Sequence, residues 1–86
     1  MAYAVQIARP ALRQFRALPG EVQERIRAQI RSLSDNPRPQ GARKLAGQDV
    51  YRIRIGDYRV MYEVDDATSL VTVTVVLHRK DAYRQR

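Results

Sequence analysis

Gly56-Asp57 stands between two runs in which apolar and charged residues alternate, Tyr51-Arg52-Ile53-Arg54-Ile55 and Tyr58-Arg59-Val60-Met61-Tyr62. No other feature restricts the fold so tightly. A two-residue connection with glycine first specifies a type II′ β-hairpin, and the turn sets the register of both strands. The spacing pairs Ile55 with Tyr58, Arg54 with Arg59, Ile53 with Val60, Arg52 with Met61 and Tyr51 with Tyr62. Tyr51, Ile53, Ile55, Tyr58, Val60, Tyr62 and Val64 then share a core face, and Arg52, Arg54 and Arg59 share the opposite one. Arg54 lies directly across from Arg59. Like charges so placed cost a sheet a fraction of a kcal/mol, up to about 1. Stability alone would favour threonine or glutamate there, so the arginine face reads as an anion site.

The rest of the chain supplies what this hairpin packs against. Residues 2–7 alternate as a short strand, with Tyr3, Val5 and Ile7 on one face. Arg9-Pro10 opens a helix, in which Ala8, Ala11, Leu12, Phe15 and Leu18 follow helical spacing while Arg13, Gln14 and Arg16 face water. Pro19-Gly20 ends it and starts a second, with Val22, Ile26, Ile30 and Leu33 as the apolar stripe. Its Glu21 and Glu24 precede Arg25, Arg27 and Arg31, the order that suits the helix dipole. Ser34 to Gly41, with two prolines and a glycine, cannot continue a helix. Beyond it the period changes from 3.6 to 2, and strands are expected at 50–55, 58–64 and 70–77, with a polar turn at 65–69. Strand, two helices, three strands and a short tail make an α+β domain covering residues 1–86. The sheet is mainly antiparallel, a three-stranded meander plus the N-terminal strand. The helical hairpin covers one face, and the other stays open.

A chain of 86 residues has no room for a separate cofactor domain. With no cysteine and one histidine, disulfides, thiol nucleophiles and Cys- or His-rich metal sites are excluded, so no cofactor is expected. No apolar run approaches membrane-spanning length and the N-terminus lacks a signal-peptide pattern, so a cytoplasmic protein off the membrane is expected. The charge is more informative. Sixteen Lys+Arg against nine Asp+Glu give +7, and all but Lys44 and Lys80 of the cations are arginine. Such an excess suits a polyanion or an acidic protein partner.

The last strand is expected to extend the arginine face. If Val71, Val73, Val75 and Leu77 point into the core, Thr72, Thr74, Val76 and His78 lie beside the arginines. The chain then leaves through His78-Arg79-Lys80-Asp81-Ala82-Tyr83-Arg84, an imidazole, three cations and an aromatic ring. Arginines with an aromatic suit single-stranded RNA, where guanidinium groups take phosphates and a ring stacks a base.

At these residues the chain resembles the RelE/ParE toxin superfamily, on its RelE side. Lys44-Leu45-Ala46-Gly47, the run from Tyr51 to Glu63 and His78-Arg79-Lys80-Asp81-Ala82-Tyr83 carry the resemblance, with Ala11, Leu12, Phe15 and Leu18 in the first helix. It implies the toxin of a type II toxin–antitoxin pair, an mRNA interferase cutting mRNA in the ribosomal A site without a metal. A small antitoxin would cover the basic face in a hetero-oligomer. By position, Arg52 and Arg54 match the family's basic pair, Arg59 its phosphate-binding arginine, Arg79 the arginine after the last strand and Tyr83 the base-stacking tyrosine. Lys44, Lys80 and Arg84 would add RNA contacts. The chain departs from the best-studied members at Arg52 and Arg54, where those have lysines that can be tuned to act as bases. Arginine essentially cannot. Histidine is the side chain whose ordinary pKa lies nearest neutrality, so His78 is the expected proton-transfer group. The alternatives are a ParE-like inhibitor of DNA gyrase and a non-catalytic binder of RNA or the ribosome.

Overall fold

The structure, a computed structural model, describes residues 2–45 and 49–84, with side chains through Asp81. The elements are β1 (Ala4–Ile7), α1 (Arg9–Arg16), α2 (Gly20–Ser32), β2 (Arg43–Lys44), β3 (Val50–Ile55), β4 (Tyr58–Asp65), β5 (Leu70–His78) and α3 (Arg79–Arg84). Five strands form one sheet in the order β1-β5-β4-β3-β2. β1 runs parallel to β5, and the other neighbours are antiparallel. The α+β architecture expected from periodicity is present. Two short elements escaped it: the two-residue β2 on the sheet edge and α3 in the tail.

The hairpin has the expected register at every pair from Tyr51–Tyr62 to Ile55–Tyr58. Gly56 takes a φ of +61° whereas Asp57 does not, the one-sided pattern of a type II′ turn. A Cβ at residue 56 would also come within 2.8 Å of the Arg25 guanidinium, which α2 extends over the turn.

The core lies between the helical hairpin and one face of the sheet. Ala11 and Phe15 from α1, Ile26 and Ile30 from α2 and Leu33 just beyond it pack on Tyr51, Ile53, Val60, Tyr62, Val64, Val71, Val73 and Val76. Tyr62 is fully buried, its hydroxyl donating to the Pro37 carbonyl at 2.7 Å. Burial pushes that phenol up to about 12.

The loop after α2 is fastened to the sheet by one network. Arg38 donates to both carboxylate oxygens of Asp66, at 3.2 and 2.8 Å, and to the Tyr51 hydroxyl at 2.7 Å. Tyr3 donates to the same carboxylate at 2.6 Å. The hydrogen bond from Arg38, followed by that from Tyr3, holds the Asp66 carboxyl below its ordinary value. A depressed carboxylate stabilises the fold above its unfolded value, near pH 3.9, and loses that contribution as pH falls through the folded value. Urea unfolding of Asp66→Asn should therefore show a deficit against the parent at pH 7 that closes below about pH 4. A gap independent of pH would mean that the ion pair is not its source.

Candidate functional site

The exposed face of the hairpin carries a band of arginines. Arg54 and Arg59 are cross-strand partners, and Arg52 faces Met61. β2 adds a residue that sequence reasoning missed, because Arg43 pairs directly with Arg52. A two-residue strand has no periodicity to read, so the signal was absent. The band crosses from β4 to β2, roughly 10 Å at ordinary strand spacing.

Two depressions follow this band. A cleft of about 150 Å³ is bordered by Arg54, Gly56, Asp57, Tyr58, Arg59 and Arg79. A broader groove of about 750 Å³ runs on past Arg52, Arg43 and Lys44, and Arg54 borders both. Arg79 reaches the cleft because α3 starts against the hairpin turn. Its backbone N–H donates to the Asp57 carbonyl at 2.7 Å, and its guanidinium lies 3.9 Å from the Asp57 carboxylate. Three guanidinium groups thus surround one small space beside a single carboxylate. Guanidinium forks match phosphate oxygens and stay charged at any physiological pH. This arrangement can bind and neutralise a phosphate; its arginines cannot remove a proton.

The opposite end of the same face is acidic. Asp49, Glu63, Asp65 and Asp66 border a groove of about 630 Å³ there. A polyanion is drawn to the turn end and repelled from the other.

The last strand departs from strict alternation. Met61 pairs with Val75 but Tyr62 with Val73, so Thr74 is an extra residue, a β-bulge. Its hydroxyl donates to the Met61 carbonyl at 3.3 Å. The Val76 N–H beside the bulge is taken by the Gln14 side chain of α1 at 2.8 Å, so Gln14 is turned inward and not to water. One extra residue inverts the parity of all that follows. Val76 joins the core opposite Val60, while Val75 and Leu77 face Met61 and Arg59 on the arginine side. His78 faces Tyr58, on the side covered by helices, and not the arginines. The expectation that His78 and Val76 lie beside Arg54 and Arg59 is therefore corrected. The run Val75-Val76-Leu77, three apolar residues ending the alternation, was the available hint.

His78 instead borders a second groove of about 530 Å³ with Gln14, Leu18, Tyr58 and Asp81. Its ring meets Tyr58 edge-on at 5.0 Å between centroids. Lys44 has Tyr51 as its register partner and pairs with Asp49 at 3.7 Å, and it borders the broader groove together with Arg43, Arg52 and Arg54. Lys80 is exposed on α3. Ala46 and Gly47, and the side chains of Tyr83 and Arg84, lie outside the described residues. Among the described residues, no group of three or more His, Cys, Asp or Glu could hold a metal ion.

The chain matches the family described as ParE toxin of type II toxin-antitoxin system, parDE, over residues 5–83. Toxin RelE3 of Methanocaldococcus jannaschii is 33% identical over 84 residues, 92% of this chain and 93% of that protein. The isolated Escherichia coli RelE toxin has a similar structure, with a TM-score of 0.80 at 27% identity over 96% of this chain and 97% of that one. In the toxin–antitoxin complex RelBE2 from Mycobacterium tuberculosis, a chain matches with a TM-score of 0.81 at 26% identity, covering 92% of this chain and 93% of its own.

Proposed function

The chain belongs to the RelE/ParE superfamily of toxins from type II toxin–antitoxin systems, and we propose that it is a ribosome-dependent endoribonuclease acting on mRNA in the cytoplasm. The observation that carries this reading is the cleft in which Arg54, Arg59 and Arg79 converge. Attack of a ribose 2′-OH on its own 3′ phosphate forms one P–O bond, the bond to the 5′-oxygen of the next nucleotide breaks, and the proton that the 2′-OH gives up is matched by the one that the departing 5′-oxygen takes up. Negative charge builds on the phosphoryl oxygens as it does so. Preorganised cations aimed at that charge are worth several kcal/mol at the transition state. Arg79 also sits where it could hold the departing oxygen, and Arg52 and Arg43 suit the flanking phosphates along the groove. His78 does not border the cleft and transfers no proton in this mechanism.

The antitoxin belongs to the same proposal. A relative of this fold is found in a toxin–antitoxin complex, and a +7 chain with a cationic band suits an acidic partner segment. The family's ParE description favours a second reading, inhibition of DNA gyrase.

Purified protein added to ribosomes programmed with a defined mRNA separates the two. The upstream fragment should end in a 2′,3′-cyclic phosphate or its opened product. A single 2′-deoxy substitution just before the cut should abolish cleavage there, because the nucleophile is gone. Excess EDTA should not inhibit beyond removing the magnesium that the ribosome needs. A 3′-hydroxyl on that fragment would overturn the mechanism. Intact mRNA there, with gyrase-linked DNA breaks in cells expressing the protein, would establish the second reading, and intact mRNA with arrested translation a non-catalytic binder.

A further inference from the structure

We infer that His78 is a positioning residue, which seats α3 and with it Arg79, and not a proton-transfer group. Its Nδ1 accepts the backbone N–H of Lys80 at 3.1 Å. His78 immediately precedes α3, so this is an N-cap bond, from the second helical N–H to the side chain of the capping residue. The first helical N–H, that of Arg79, goes to the Asp57 carbonyl at 2.7 Å. The two leading donors of the helix are thus satisfied, one by the hairpin turn and one by the imidazole.

A helix of six residues cannot hold itself in water. Its direction depends on what grips its first turn, and Arg79 at that turn is the member of the cleft that the sheet does not carry. The edge-on contact with Tyr58 fixes the imidazole in place. Tyr58 is the one residue, among those described, that borders both the arginine cleft and the groove of His78. Its ring thus links the two sites while the imidazole stays on the helix side. Besides Tyr58, the titratable and charged groups around it are Asp81 at this groove, Arg79 and Lys80 on the first turn of α3, and Asp57 on the hairpin turn.

The inference rests on the endoribonuclease reading for its cleavage measurement and not for its structural one. Three proteins are compared: the parent, His78→Ala and His78→Asn. Asparagine is a good N-cap and has no acid–base function near neutrality. Exchange of the Lys80 amide with water, followed by NMR against the amides of β4 and β5 as internal reference, should speed up about 3- to 10-fold in His78→Ala, the scale of a lost cap. His78→Asn should return it to the parent value. Ribosome-dependent cleavage should fall several-fold in His78→Ala through kcat, and recover in His78→Asn with the pH profile unchanged.

Unchanged Lys80 exchange in His78→Ala would overturn the capping role. Restored exchange in His78→Asn with cleavage still lost would place the imidazole in the chemistry and overturn the inference from the other side. If the parent cleaves no mRNA, the nuclease reading fails, and the exchange measurements still decide whether His78 seats α3. Should His78→Ala not fold, His78→Leu serves in its place, filling the space beside Tyr58 without a capping acceptor.

Discussion

Arg54→Thr should unfold at the temperature of its parent or slightly above it and lose about 10²- to 10³-fold in mRNA cleavage, the scale of one removed transition-state donor. Arg54 is exposed on β3 and its cross-strand partner is Arg59. Removing one of two facing like charges relieves up to about 1 kcal/mol, and threonine suits an exposed strand position. The activity loss has a separate cause: Arg54 borders both the cleft and the groove, so the substitution opens the middle of the cationic band. Stability and activity then move in opposite directions, as at sites that trade one for the other. Thermal unfolding alongside ribosome-programmed cleavage checks both. A variant that unfolds would make Arg54 structural, and one that stays folded and fully active would mean that the open face is not the active face.

Ile26→Ala should have the reverse signature. Ile26 is fully buried in α2, between the helical hairpin and the sheet. Truncating such a residue costs about 2–5 kcal/mol, the transfer of the lost methyl groups plus the cavity left behind. A domain of this size has on the order of 5–15 kcal/mol in total. The midpoint temperature should therefore drop on the order of 10–30 °C. The arginines sit on the other face of the sheet, so cleavage per folded molecule at low temperature should match the parent. A loss below about 1 kcal/mol by urea unfolding would mean that α2 is not seated on the sheet as described.

These two substitutions probe the two faces of the sheet, and the sequence was informative about both at the hairpin. Gly56-Asp57 carries the turn, period-2 alternation carries the faces, and the pairing of Arg54 with Arg59 follows from counting outward. Pro19-Gly20 likewise separates α1 from α2 by local chemistry alone. These are contacts between near neighbours in the chain, where backbone preference and side-chain parity act directly. The exit of the chain from the last strand brought Arg79 toward the hairpin, and the family resemblance matched it to the arginine that follows that strand.

What needed the tertiary structure is what depends on residues far apart. Val71-Thr72-Val73-Thr74-Val75 alternates strictly, yet the strand bulges at Thr74. The Val76 N–H, two residues past the bulge, finds its acceptor in Gln14, 62 residues away in α1. A bulge is tolerable only where something satisfies the disrupted ladder, and nothing in the local sequence says that α1 will present a glutamine there. The bulge moves His78 off the arginine face. Arg43 joins that face for a similar reason: two residues form a strand only because the β3 edge is there to pair with them. α3 is too short to form unaided and takes its place from Asp57 and His78. The sequence alone thus determined the hairpin, its register and the row of arginines that it displays. Packing between distant elements decided which other residues stand beside that row, because each depends on a hydrogen bond whose two ends meet only once the chain has folded.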